Sequence, residues 1–160
     1  MNWSEFSRKI RVKCSIEDAY LAWADTEKMR VWFLATCQIE DSNARSIVTK
    51  GDSVKWEWHN YPNTMLVEIL ESRPNEYIEF SFGDPMKVSV QFSSEDEYTV
   101  IELRQFDIPT DETSRMNFHV GCRQAWSTWM LNLKAWLEHG ILLHDKELGK
   151  REDLFHYVNT

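Results

Sequence analysis

The stretch Phe118–Gly140, FHVGCRQAWSTWMLNLKAWLEHG, decides the fold. It has no proline, and its one internal glycine, Gly121, stands near its start. At helical spacing Phe118, Cys122, Ala125, Trp126, Trp129, Leu133 and Trp136 share one face, and Arg123, Gln124, Ser127, Lys134 and Glu138 share the other. Gly140 suits a left-handed helix end, and His139 places a basic group in the last turn. The spacing therefore predicts one helix of about six turns with three indoles on its inner side. Such a face needs a large apolar partner, and the segments upstream are the source of one.

Those segments read mostly as strands. Ser4 to Lys13 alternates loosely through Phe6, Ile10 and Val12. Ser15-Ile16-Glu17-Asp18 resembles a capping box and opens a short helix with Ile16, Ala19, Tyr20 and Trp23 on its inner side. Asp25-Thr26-Glu27 breaks it, and a second short helix carries Met29, Trp32 and Phe33. Ala35 to Glu40 is a candidate strand and Arg45 to Thr49 a weaker one. In SVKWEWH, Val54, Trp56 and Trp58 alternate with Lys55 and Glu57, the cleanest period-two signal in the chain. Met65 to Leu70, Tyr77 to Phe82, Met86 to Phe92 and Tyr98 to Phe106 follow, separated by turns at Arg73-Pro74-Asn75, Gly83-Asp84-Pro85 and Ser93 to Glu97. Strands with one apolar face in turn-separated succession describe an antiparallel meander. The expected class is α+β: a curved antiparallel sheet of about six to seven strands wrapped around the long C-terminal helix, with two short helices after the first strand. The helix face is expected against Trp56, Trp58, Phe80 and Phe92. Residues 1–143 form this domain, and 144–160 form a tail that packs on it, where it covers Leu131, or that enters a dimer contact.

The totals restrict function. The chain of 160 residues is 42% hydrophobic and 28% charged, which fits one globular domain. Eight tryptophans and eight phenylalanines supply either a core of large rings or an aromatic-lined cavity. The formal charge of −8 argues against nucleic acid or an anionic membrane as the main partner. No apolar run reaches signal-peptide or membrane-spanning length. Three dispersed cysteines, Cys14, Cys37 and Cys122, fit reduced thiols in the cytoplasm.

Four stretches, IEDAYLAWADTEKMRVWF, GDSVKWEW, LVEILESRPNEYIEFSF and AWSTWMLNLKAWLEHG, occur in an order that resembles the START-like, or SRPBCC, superfamily with the helix-grip (Bet v 1-like) fold. Within it they are most similar to the branch of the Hsp90 ATPase activator's C-terminal domain. The resemblance implies a hydrophobic pocket between sheet and helix and no particular reaction. Relatives include lipid carriers, hormone receptors, polyketide cyclases and a chaperone activator, and they share no catalytic motif.

The chemistry-bearing residues agree with that silence. No nucleophile elbow, phosphate loop or dinucleotide fingerprint is present. His59, His119, His139, His144 and His156 form no metal-ligand pair and are expected to be solvated, and Cys122 is expected to be a small buried residue. No cofactor and no metal is implied. The expected partner is a small apolar or aromatic molecule, with a chaperone or other protein as the alternative and a polyketide cyclase-like enzyme as a third reading. The chain is expected to be a monomer or homodimer. Trp32, Phe33, Trp56 and Trp58 are expected to line the pocket from one side, Phe80 and Phe92 from the sheet, and Trp129, Leu133 and Trp136 from the helix. Tyr20, Gln105 and Asn132 are polar candidates within it, each able to orient a ligand or to satisfy a neighbouring backbone group.

Overall fold

In the computed structural model, residues 1–41, 44–149 and 151–160 are described; Lys150, inside the expected tail, lies outside them. Seven strands form one antiparallel sheet in the order β1-β7-β6-β5-β4-β3-β2. They are β1 (Phe6–Val12), β2 (Thr36–Ile39), β3 (Ser53–Glu57), β4 (Thr64–Arg73), β5 (Tyr77–Ser81), β6 (Lys87–Glu95) and β7 (Tyr98–Phe106). The long hairpins pair in sequence order, and β1 closes the far edge against β7 from Phe6↔Gln105 to Val12↔Thr99. A register shift between Ile69 and Glu71 interrupts the β4–β5 ladder, a kind of irregularity that bends a strand and helps a sheet curl.

Helices α1 (Ile16–Ala24) and α2 (Thr26–Trp32) sit between β1 and β2. Ser15 caps α1 by accepting from the Asp18 amide at 3.0 Å, and Asp25 caps α2 by accepting from the Glu27 amide at 3.0 Å. Both caps leave their helices in phase, so Ala19, Tyr20, Trp23, Met29 and Trp32 are buried. The segment around Ile47 contributes only one bridge, Asp25↔Ile47, in place of the weak strand expected over Arg45 to Thr49.

The C-terminal helix differs from its expected form in an instructive way. It begins earlier, as α3 (Glu112–Ser114), passes through a π-helical stretch, Arg115–Gly121, and continues as α4 (Cys122–His139), 28 residues in all. A π-turn widens the helix and shifts the phase of everything before it. Phe118 therefore lies exposed, and His119 takes the inner position that a uniform helical period would give to Phe118. Beyond the π-turn the expected face holds in part: Trp126, Trp129 and Leu133 are buried, joined by Met130 and Asn132, while Cys122 and Trp136 are half-buried and Ala125, expected inside, is exposed because it borders the open groove. Gly140 ends the helix at φ 67°, and its amide donates to the Trp136 carbonyl at 2.8 Å.

The helix α4 is fastened along β1. Arg8 Nε donates to Ser127 Oγ at 2.9 Å, the Lys13 amide to Glu138 Oε1 at 2.7 Å, and Lys134 Nζ to the Arg11 carbonyl at 2.8 Å. Its inner face meets the sheet directly at Trp126, which donates to Gln105 of β7 at 2.9 Å and packs 5.3 Å from Phe82, and also through the residues around α2. Phe33, just past α2, stands between the two layers. Its ring lies 5.0 Å from Trp129 and 5.4 Å from Trp126 on one side, and 5.5 Å from Trp56 and 6.1 Å from Trp58 on the other. Phe92, expected against the long helix, meets Tyr20 of α1 at 5.7 Å instead.

Candidate functional site: an uncharged aromatic groove

The centre of the molecule is filled. Trp32, Trp56, Phe80 and Leu133 are at most 2% exposed. Trp23 packs edge-on to Trp32 at 4.9 Å, and Trp32 stacks on Phe33 at 5.1 Å. These rings from α1 and α2 occupy the space that a deeper pocket between sheet and helix requires.

Apart from a more polar cavity of about 610 Å³ between α2 and β2, the chain leaves a groove of about 570 Å³ beside these rings. Phe33 forms its floor together with Trp58, just past β3, and Phe82, just past β5. One bank is the π-turn and first half of α4, with Gly121, Cys122, Ala125, Trp126 and Trp129. The other bank is the end of the chain, with Phe155, Tyr157, Val158 and Thr160. Tyr61, Asn63, Asn117, Gln124 and Thr128 complete the lining and supply neutral hydrogen-bonding groups. Among the described residues, none of the side chains lining this groove carries a charge or an imidazole. A smaller cavity of about 310 Å³ adjoins it, sharing Thr128, Trp129, Val158 and Thr160 and adding Leu131, Asn132 and His144.

Of the residues expected to line a pocket, Phe33, Trp58 and Trp129 come together in the groove, and Asn132 lines the adjoining cavity. Trp32, Trp56, Phe80, Phe92 and Leu133 lie in the packed core, and Trp136 is half-buried against it. The three polar candidates already have protein partners. Tyr20, buried against Phe92, shares a hydrogen bond of 2.8 Å with Ser72 of β4. Gln105 is fully buried and accepts at Oε1 from the Trp126 indole at 2.9 Å. Asn132 donates from Nδ2 to the Trp32 carbonyl at 2.6 Å and accepts at Oδ1 from the Leu143 and His144 amides at 2.7 and 3.1 Å. It thus ties α2, α4 and the start of the C-terminal segment at one atom pair.

Sequence reading missed Phe82, Tyr61 and the C-terminal residues. Phe82 was visible as the last residue of the candidate strand Tyr77 to Phe82. Phe155, Tyr157 and Val158 carried no periodic signal, because beyond Gly140 the described residues are irregular apart from one short 3-10 turn, Leu154–His156.

Burial decides the chemistry of the thiols and imidazoles. Cys122 is half-buried and faces the groove, and burial raises its pKa, which keeps it a protonated thiol near neutral pH. Burial pushes the Cys37 thiol up to about 12. The histidines are not all solvated as expected. His119 is buried between Trp3 and Phe6, with ring centroids 5.0 and 5.5 Å away, and its Nδ1 lies 3.1 Å from the Trp3 carbonyl. His144 packs 4.6 Å from Trp129 and 5.7 Å from His59.

A seven-stranded antiparallel sheet gripping a long C-terminal helix, with two short helices after the first strand, defines an α+β helix-grip domain of the START/SRPBCC type. The sequence profile of the family described as "Activator of Hsp90 ATPase homolog 1-like protein" matches residues 13–138, and the chain belongs to that family. A search of curated proteins finds no match. Among solved structures, protein SSP2350 from Staphylococcus saprophyticus is similar at a TM-score of 0.73 and 20% identity, over 88% of this chain and 96% of that one. The Aha1 dimer from Colwellia psychrerythraea is similar at 0.67 and 20%, over 85% and 97%. DynU16, encoded in the dynemicin biosynthetic locus, is similar at 0.70 and 14%, over 93% of this chain and 51% of that one. At these identities the likeness is one of fold.

Proposed function

We propose that this protein binds a small, neutral, aromatic or apolar molecule in the groove between α4, the β3 and β5 ends of the sheet, and the C-terminal segment. One observation carries the reading: a groove of about 570 Å³ with aromatic walls, neutral hydrogen-bonding groups and, among the described residues, no charged lining side chain. Its volume falls in the range of small-molecule sites. Burial of apolar ligand surface contributes about 25 cal/mol per Å² before the costs of association. A carboxylate placed there would lose hydration and find no cationic side chain among the described lining residues. Among the described residues the same lining has no carboxylate, ammonium or imidazole side chain, and burial keeps the Cys122 thiol protonated, so the reading is of binding rather than proton transfer.

Indole fluorescence tests it, because Trp58, Trp126 and Trp129 all line the site. Titration with neutral polycyclic aromatics is expected to give saturable one-to-one quenching. The matching carboxylates are expected to bind at least tenfold more weakly, a difference of about 1.4 kcal/mol. Equal affinity for the charged and neutral members would remove the proposal.

A protein-contact reading is favoured by a different feature. Leu131, midway along α4 and not covered by the C-terminal segment as expected, is about half exposed, as are Ile141 and Leu143 just past the helix, and Phe155 and Val158 are more exposed still. Aha1 from Colwellia psychrerythraea, similar in fold, is a dimer. Sedimentation velocity over a concentration series, with and without an Hsp90-type ATPase, separates self-association from chaperone binding and from neither.

A further inference from the structure

The segment past Gly140 is built as a strap with a fixed root and a lightly held outer limb. At the root, Asn132 accepts from the Leu143 and His144 amides. Asn60 donates to the Asp145 carbonyl at 2.7 Å and accepts from the Gly149 amide at 3.1 Å. Lys146 Nζ donates to the Val31 carbonyl at 3.0 Å. Among the described residues the outer limb is tied to the root by two backbone bonds, from the Asp145 amide to the Asn159 carbonyl at 2.8 Å and from the Arg151 amide to the Gly149 carbonyl at 3.1 Å. Tyr61 and Thr160 share a hydroxyl contact of 2.8 Å, and Leu154 is buried. This limb is the bank of the groove that carries Phe155, Tyr157, Val158 and Thr160. Phe155 is 87% exposed and Val158 73%, so little apolar burial holds it down.

His144 sits where root and limb meet. Its ring lies against Trp129, and both ring nitrogens are buried without a hydrogen-bond partner of normal length. The titratable and charged groups around it are His59, from the loop after β3, and Lys146 and Asp145 from the strap itself. The helix α4 contributes Trp129 and Asn132, which do not titrate, and the limb contributes the Asn159 backbone, a weak contact. A proton on this ring gains Asp145 and loses hydration beside Lys146. When His59 is also charged, two imidazolium rings face each other.

We propose that the strap is an acid-released cover on the aromatic groove, with protonation of His144 as the event that lifts it. The inference concerns access to the groove and holds whatever molecule the groove takes. Burial, followed by His59 and Lys146, lowers the His144 pKa from 6.5 to about 4 in the closed form. In the lifted form the ring is hydrated and titrates near its ordinary value. The closed strap is therefore fully favoured above about pH 6.5 and loses ground as pH falls towards 4, by up to about tenfold per pH unit. Solvent screening reduces that slope where water reaches the ring.

Amide hydrogen exchange read by mass spectrometry, corrected for the intrinsic rate at each pH, tests this between pH 7.5 and 5. Peptides from the strap are expected to lose protection by roughly tenfold across that range, while β6 and β7 peptides keep theirs. In His144→Gln, and in His144→Phe, which retains a ring against Trp129, strap protection is expected to be independent of pH. Two results overturn the proposal. One is wild-type strap protection that stays flat over the window. The other is the same pH dependence in His144→Phe as in the wild type.

Discussion

Phe33→Ala is expected to lower the unfolding free energy by about 3–5 kcal/mol, the usual cost of truncating a buried phenylalanine. Phe33 is 3% exposed and touches rings from three elements. It stacks on Trp32, meets Trp56 and Trp58 on the sheet side, and meets Trp126 and Trp129 on the helix. Without it the layers keep only the Trp126 contacts with Phe82 and Gln105 at this point, and the aromatic contacts of Phe33, worth about 0.5–1.5 kcal/mol each beyond burial, are lost together. The same substitution deepens the groove, because Phe33 is its floor. Chemical denaturation is expected to show the lower midpoint, and a bulky neutral aromatic in excess is expected to recover part of the loss by filling the space. A loss under 1 kcal/mol would mean that helix and sheet are joined elsewhere.

Asn132→Leu is expected to cost about 3 kcal/mol although it keeps the branched shape of the side chain. The substitution strips partners from the Trp32 carbonyl and from the Leu143 and His144 amides at once, and each buried group left unpaired costs about 1–3 kcal/mol. The strap root comes free, because two of those three bonds hold it. Thermal unfolding of the variant is expected to fall well below wild type. Limited proteolysis is expected to cut first between residues 141 and 149. Resistance there equal to wild type would show that Asn60 and Lys146 hold the strap without Asn132.

Asn132 also shows how far the sequence could be read. Its position beside the inner stripe of α4 was legible, and so was the choice between serving a ligand and serving backbone. That its partners come from α2 and from the residues just past Gly140 depends on tertiary contacts between residues 100 apart and 11–12 apart. The sheet was legible for a simpler reason: Val54–Trp56 and Met86–Val88–Val90–Phe92 alternate strictly, and one-sided burial enforces register. The helix phase was legible only after Gly121, because a π-turn leaves no periodic mark in a single sequence. The location of the open space was the least legible feature. Trp56 and Trp129 have the same composition signal, yet Trp56 is sealed in the core while Trp129 lines both cavities. Which ring fills and which ring lines is decided by the packing of Trp23, Trp32 and Phe33 ahead of them.

The most direct measurement is a paired titration of wild type and Ala125→Trp with a neutral, environment-sensitive dye such as Nile red. Ala125 is exposed and faces the groove from α4, so an indole there fills the space without entering the core. The wild type is expected to bind one dye saturably, and the variant, with unchanged thermal stability, to bind at least tenfold more weakly. Equal binding by the two proteins would place the ligand site somewhere other than this groove.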